Sequence, residues 1–203
     1  DALPILLKAT LSSEIYLIIE GQGNQSLLNN LFKKEPSQVY VDNIKREDCK
    51  KFCLLTNNMN NITLKFNEEI NSCANMFESL SNIKEIDLSN FDFSKVNKMS
   101  SMFRSCTNLI KINFGKINTS SVVDMSYLFY NCISLESIDL SYFDTSSVTS
   151  LDSTFCHCEN ILSIDASSFN TSKVKTMRDL FSYCYNLMSV NVSSFDTSNV
   201  ENM

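Results

Sequence analysis

The pattern of hydrophobic and polar positions repeats every 26 residues over the second part of the chain. One apolar column, in steps of 26, consists of Val96, Val122, Val148, Val174 and Val200. A second column, in the same steps, consists of Phe77, Phe103, Phe129, Phe155 and Phe181. A fixed period of this length is typical of units that stack on one another, because one unit alone cannot bury its apolar face. The sequence therefore predicts a solenoid.

Each unit is predicted to contain one helix and one strand. In "VNKMSSMFRSC", the residues Val96, Met99 and Phe103 recur at i, i+3 and i+7, as on one face of a helix. Clusters such as "FDTSSV" precede each helix and supply oxygens for its N-terminal cap. In "LESIDLS", Ile138 and Leu140 alternate with polar residues, as in a short strand with one buried face. We therefore expect an α/β fold, a leucine-rich-repeat-like solenoid of helix–strand units.

The first 66 residues lie outside the repeat. Three β-like runs, "EIYLIIEG", "SQVYVDN" and "NITLKF", surround a polar middle. Because the ends of a solenoid need cover, residues 1–66 are predicted to form a small β-rich N-terminal capping domain. Residues 67–203 are then the solenoid, with about five units. It ends mid-repeat at Met203, so we expect that the native chain continues or that this end contacts a partner.

Composition and charge exclude several classes of function. The net charge of −6 argues against a nucleic-acid ligand, which requires a basic surface. No apolar run reaches the ~18 residues of a membrane span. Gly-rich phosphate loops are absent from a chain with only 3 glycines. No nucleophile, acid–base pair or cofactor cradle converges in the sequence, so we expect a protein that is not an enzyme and uses no cofactor.

The repeat resembles that of a known family. The segments "LSNFDFSKVNKMSSMFRSCTNL" and "LSYFDTSSVTSLDSTFCHC" are similar to the repeat "LDLSNFDTSxVTDMxxMFxxCxSL" of the BspA-like surface proteins of bacteria and protists. The resemblance covers residues 70–203, and "FGKINTS" departs mildly from the motif. It implies a secreted or cell-surface protein with a leucine-rich-repeat-type solenoid that serves adhesion and binding and not catalysis. It does not imply a particular ligand.

The cysteines indicate packing more than chemistry. Four of them share one column in steps of 26, namely Cys106, Cys132, Cys158 and Cys184. Because Leu80 occupies the same column, we expect a ladder of buried free thiols. The run "FCHC" holds the single histidine, but adjacent residues rarely converge on one metal ion, so no metal site is expected there. Cys49, Cys53 and Cys73 are candidates for one disulfide in an extracellular protein, with three reduced core thiols as the alternative.

The exposed side of the predicted sheet is the candidate ligand face. Its residues are Glu85, Asp87, Lys111, Asn113, Asp139 and Asp165. These side chains are polar and mildly acidic, and they lack the Trp, Tyr and Arg of a protein hot spot. The composition favours a glycan or a weak multivalent contact, and a solvated surface is the alternative.

Five Asn-X-Ser/Thr sequons are candidates for glycosylation, at Asn24, Asn61, Asn118, Asn170 and Asn191. Asn118 and Asn170 share a column with aspartates, as at Asp92. We expect this Asx column to cap the helix that follows and not to bind calcium, which needs six to eight oxygen ligands.

These observations lead to two hypotheses of function. The first is a non-enzymatic extracellular or cell-surface module for binding or adhesion, whose partner is a protein or a glycan at a cell surface. The alternative is a structural building block that binds copies of itself and assembles into an extracellular filament or coat through open strand edges. A binding module stays monomeric without its ligand, whereas a building block assembles alone.

Overall fold

The computed structural model describes residues 13–203, which contain ten strands and no α-helix. The strands are β1 (Ser13–Glu20), β2 (Gly23–Ser26), β3 (Gln38–Val41), β4 (Ile44–Arg46), β5 (Phe52–Leu55), β6 (Met59–Phe66), β7 (Ile83–Asp87), β8 (Lys111–Asn113), β9 (Ser163–Asp165) and β10 (Ser189–Asn191). Nothing in this range is a helix long and apolar enough to span a membrane.

One six-stranded sheet joins the N-terminal region to the repeats. Its strand order is β4-β3-β6-β1-β7-β8. The alternation of "SEIYLIIE" explains the position of β1, because Ile15, Leu17 and Ile19 are buried while Tyr16 points outward. β1 pairs antiparallel with β6 and also with β7, the first strand of the repeats, and β7 pairs in parallel with β8. The outer face of the sheet therefore continues from one region into the other.

The predicted leucine-rich-repeat-like solenoid of helix–strand units is wrong, because the segments predicted as helices are runs of tight turns. In "VNKMSSMFRSC", the Met102 N–H donates to the Met99 carbonyl at 3.1 Å, which closes a β-turn. The alternate N–H groups of Ser101 and Phe103 donate to carbonyls of the next repeat at 2.9 and 3.0 Å. In an α-helix, each N–H donates to a carbonyl of the same helix. The turns instead use every second N–H to join neighbouring repeats, and we call this arrangement the turn ladder.

Residues in the left-handed region explain why the turns do not continue into helices. Two positions in each repeat have a φ between 51° and 62°. They are Asn75, Ser101, Tyr127, Ser153 and Asp179, and Ser79, Ser105, Asn131, His157 and Tyr183. A left-handed residue interrupts an α-helix, whereas the third position of a type II turn requires positive φ. The apolar spacing that suggested a helix is the same in both arrangements.

The 26-residue period is present in the structure as a stack of coils, called the coil stack below. Parallel bridges in steps of 26 link Ser72, Lys98, Asp124, Ser150, Thr176 and Asn202. The phenylalanine column forms a continuous stack of rings in the core. The ring centroid of Phe129 lies 5.5 Å from that of Phe103 and 5.4 Å from that of Phe155.

The third coil lacks the strand predicted in "LESIDLS". The Glu136 N–H lies 3.4 Å from the Ile110 carbonyl, whereas the equivalent bonds of Ile110 and Met188 to the coils before them are 2.9 Å. This hydrogen bond is longer than its equivalents at Ile110 and Met188, although Leu135 and Leu140 remain buried. The outer sheet is therefore interrupted between β8 and β9.

Candidate functional site

A cleft of about 740 Å³ lies on the outer face of the six-stranded sheet, and we call it the sheet cleft. Its outward side chains come from four adjacent strands, β6, β1, β7 and β8. They are Asn61, Thr63, Tyr16, Ile18, Glu85, Asp87, Lys111 and Asn113, with Asn43 preceding β4. The volume lies within the ~300–1,000 Å³ of sites that bind small ligands.

Strand register arranges these side chains in two rows. The first row is Thr63, Tyr16, Asp87 and Asn113, and the second is Asn61, Ile18, Glu85 and Lys111. Neighbouring strands lie ~4.8 Å apart, so each row extends about 14 Å. Residues two apart on a strand are about 7 Å from each other, which sets the separation of the rows. The cleft is therefore long and narrow.

Hydrogen bonds hold part of the first row in place. Asp87 accepts from the Ser89 N–H at 2.8 Å and from the Asn113 amide at 3.1 Å. Partial burial opposes ionisation of Asp87, but these hydrogen bonds and the nearby Lys111 lower the pKa of its carboxyl below the ordinary value. Asp87 is therefore an anion at neutral pH with a fixed orientation.

Other polar groups of the sheet cleft are available to a ligand. Within residues 13–203, the side chains of Glu85, Lys111 and Thr63 make no hydrogen bond with the protein. The Tyr16 hydroxyl donates to the Glu14 carboxylate at 2.6 Å, which raises the pKa of Tyr16, and its ring is 37% exposed. The cleft thus combines free hydrogen-bonding groups with a positioned aromatic ring.

The structure divides the candidate ligand face into two parts. Four of its residues line the sheet cleft, namely Glu85, Asp87, Lys111 and Asn113. The other two line a hollow of about 310 Å³, with Asp139 in the interrupted third coil and Asp165 on β9. Sequence reasoning missed the contribution of β1 and β6. The sequence predicts these segments only as β-like runs, and no local signal places β1 beside β7.

Two of the three candidate disulfide cysteines are bonded to each other, and the third is free. Cys49 and Cys53 form a disulfide, whereas Cys73 is a buried free cysteine. The ladder cysteines are also free: Cys106, Cys132 and Cys158 are buried, and Cys184 is half-buried. Each donates its thiol to a phenylalanine carbonyl of the preceding coil at 3.0 to 3.2 Å. Burial raises the pKa of Cys106 to about 12, so these thiols are poor nucleophiles.

The run "FCHC" belongs to the turn ladder. His157 has a φ of 61°, and its ring stacks on Tyr183 with the centroids 4.3 Å apart. Cys156 and Cys158 on either side are buried. Across residues 13–203, no three His, Cys, Asp or Glu side chains are grouped so that they could hold a metal ion.

The Asx column does not cap helices, because no helix follows it. Asn118 and Asn170 each accept from the N–H of the serine two residues later at 3.1 Å, and Asp144 does so at 2.9 Å. These are Asx turns. Among the other sequons, Asn24 is exposed on β2 and Asn61 lines the sheet cleft. Asn191, on β10, accepts from the Ser193 N–H at 3.2 Å.

Three overlapping segments of the chain match the family described as Mycoplasma protein of unknown function, DUF285. The matched residues are 28–109, 71–163 and 150–203, so the matches extend from the N-terminal strands to the last coil. No curated protein and no solved structure matches the chain.

Proposed function

The chain belongs to the family described as Mycoplasma protein of unknown function, DUF285, and we propose that it is a secreted or cell-surface binding module. The sheet cleft is its ligand site. The observation that carries the proposal is the single sheet that brings side chains of the N-terminal strands and of the first two coils onto one exposed face. Polar groups free of partners within a cleft are suited to binding.

Three features support an extracellular location. The repeat motif resembles that of the BspA-like surface proteins, and four of the five sequons lie outside the sheet cleft. The Cys49–Cys53 disulfide adds to this, because disulfides persist mainly in oxidising compartments. Antibodies against the chain should therefore detect it on intact, unpermeabilised source cells or in their culture medium. Detection only after permeabilisation would contradict the extracellular location.

The proposal does not include catalysis. His157 lies outside the sheet cleft, and burial raises the pKa of the ladder thiols. The carboxylates in the cleft, Glu85 and Asp87, are outward side chains of one strand, and their Cα atoms lie about 7 Å apart. Their role in the proposal is to bind the ligand.

Binding to intact cells tests the proposed function. Fluorescently labelled chain is added to cultured epithelial cells and to bacterial cells and measured by flow cytometry. We expect saturable binding to one of them that unlabelled chain competes. Replacing Glu85 and Lys111 together by alanine should weaken this binding about 10-fold, because both side chains are available to the ligand.

A matched double variant controls for the change in charge. Lys116→Ala with Glu136→Ala also removes one exposed base and one exposed acid, but both lie outside the sheet cleft. We expect this variant to bind as the wild type does. Equal losses in the two double variants, or no saturable binding to either cell type, would contradict the proposed function.

A further inference from the structure

The middle of the sheet cleft is apolar and its two sides are polar. Tyr16 and Ile18 lie on β1, which runs between β6 and β7. On the β6 side stand the amide of Asn61 and the hydroxyl of Thr63, and on the β7 side stand two carboxylates. A ligand that fits this arrangement has an apolar face and a polar perimeter, and a sugar ring has both.

The Tyr16 ring forms a preorganised platform. Its hydroxyl is held by the Glu14 carboxylate at 2.6 Å, and its backbone is paired on both sides, with Thr63 and with Asp87. An aromatic side chain supplies a large contact area at a low cost in conformational entropy. The C–H face of a sugar can pack against this ring without a rearrangement of the strand.

The hydrogen-bonding groups suit a ligand rich in hydroxyls. Each hydroxyl both donates and accepts, and the cleft offers carboxylates that accept, the Lys111 ammonium that donates and the Thr63 hydroxyl that does both. Glu85 has no partner within the described chain, and Asp87 keeps unused lone pairs beside the bonds to Ser89 and Asn113. Both carboxylates can therefore accept from ligand hydroxyls.

Charge and topology disfavour two other ligand classes. Two carboxylates against one ammonium leave the cleft mildly negative, which disfavours an anionic polysaccharide. An extended peptide binds best along a sheet edge through its main chain. β6, β1 and β7 beneath the cleft already have partners on both sides.

We propose that the sheet cleft binds a neutral oligosaccharide of a few sugar units. The inference rests on the function proposed above, in which this cleft is the ligand site. The length of about 14 Å, set by four strands, accommodates a short linear chain.

A glycan array tests the proposal, with neutral, amino and anionic oligosaccharides printed together. We expect the wild-type chain to bind neutral oligosaccharides. Asp87→Asn should weaken this binding about 10-fold, because an amide accepts fewer hydrogen bonds than a carboxylate. The substitution preserves the turn, since asparagine occupies the same column at Asn113 and accepts there from the Gly115 N–H at 3.0 Å.

The matched control is Asp165→Asn. Asp165 belongs to the same column and accepts from the Ser167 N–H at 3.0 Å, but it lies outside the sheet cleft. Its substitution should leave glycan binding unchanged. A second variant, Tyr16→Ala, removes the platform at an exposed position and should abolish binding while the far-UV spectrum stays as in the wild type.

Three results would overturn the proposal: no neutral oligosaccharide binds, only anionic ones bind, or Asp87→Asn and Asp165→Asn weaken binding equally. Periodate oxidation of the cell surface separates this inference from the proposed function, because it destroys vicinal diols of sugars. Binding to cells that depends on the sheet cleft but survives periodate would rule out a saccharide ligand and would still support the proposed binding module. Cell binding that does not depend on the cleft would overturn both.

Discussion

Asn29 covers the end of the turn ladder at the first coil. Its backbone N–H donates to the Met76 carbonyl at 2.9 Å, and its side-chain amide donates to the Glu78 carbonyl at 2.7 Å. In later coils the equivalent carbonyls accept from the coil before them. Asn29 thus supplies the two donors that a preceding coil supplies elsewhere in the stack. Its side-chain oxygen also accepts from the Leu31 N–H at 2.7 Å.

Asn29→Ala should lower the free energy of unfolding by about 1–3 kcal/mol, because it leaves the Glu78 carbonyl and the Leu31 N–H without these partners. Asn30→Ala is the matched control, since Asn30 is exposed and its side chain makes no hydrogen bond in the described chain. Urea titration followed by tyrosine fluorescence measures the free energy of unfolding of both variants. If the two variants unfold at the same urea concentration, Asn29 does not serve as this cap.

At the residue scale, the sequence predicted burial well and hydrogen bonding poorly. The columns identified Phe129, Cys132 and Val122 as core residues, and each is fully buried. The thiol of Cys132 also donates to the Phe103 carbonyl at 3.1 Å, which the column did not indicate. A column of apolar residues reports the environment of a side chain and not the direction of its polar atoms.

At the scale of the element, the repeat unit shows why apolar spacing alone cannot identify a helix. Val96, Met99 and Phe103 are buried at helical spacing, yet Ser101 before Phe103 and Ser105 after it are left-handed. Serine adopts positive φ less readily than glycine or asparagine, so the serines did not indicate left-handed positions in the sequence. The N–H groups of Ser101 and Ser105 donate to carbonyls of the next coil at 2.9 and 2.7 Å, which an α-helix would not allow.

The phenylalanine column carries much of the packing between coils. Phe129 is fully buried and stacks on Phe103 and Phe155, so Phe129→Ala should cost about 3–5 kcal/mol in the free energy of unfolding. Phe52, on β5, is 39% exposed, and Phe52→Ala should cost roughly 1 kcal/mol or less. Thermal unfolding of both variants checks this difference. Similar losses would show that the ring stack does not dominate the packing of the coils.

At the scale of the whole molecule, the Asx turns link stability to pH. Hydrogen bonds from the serine two residues later lower the pKa of Asp139, Asp144 and Asp196. A depressed folded-state pKa contributes stability above the unfolded value of about 3.9, and this contribution is lost as the pH falls through the folded value. We therefore expect the urea midpoint to be lower at pH 3 than at pH 6.

The variant that replaces these three aspartates by asparagine keeps the turn acceptors but removes their titration. Its urea midpoint should depend less on pH over the same interval. An equal pH dependence in the variant and in the wild type would show that other carboxylates account for acid sensitivity.

The sheet cleft exists only at the scale of the whole molecule. The columns of the repeat predicted that Glu85 and Lys111 belong to one exposed face. The parallel pair β7 and β8 places them side by side on it. Tyr16 and Thr63 reach the same cleft because β1 pairs with β7 across a long separation in sequence. No periodicity encodes that pairing, so the sequence predicted half of the candidate site and could not predict the other half.

Blocking the sheet cleft covalently tests its role most directly. Thr63→Cys places a reactive thiol in the cleft, and Ser167→Cys places one at an exposed position beyond the interruption of the sheet. Burial protects most native thiols, and wild-type chain treated in the same way controls for the half-buried Cys184. Each protein is coupled to a maleimide polymer, and its binding to cells is measured by flow cytometry. We expect coupling to abolish saturable binding of Thr63→Cys and to spare Ser167→Cys. Equal binding of the two coupled proteins would contradict the assignment of the sheet cleft as the ligand site.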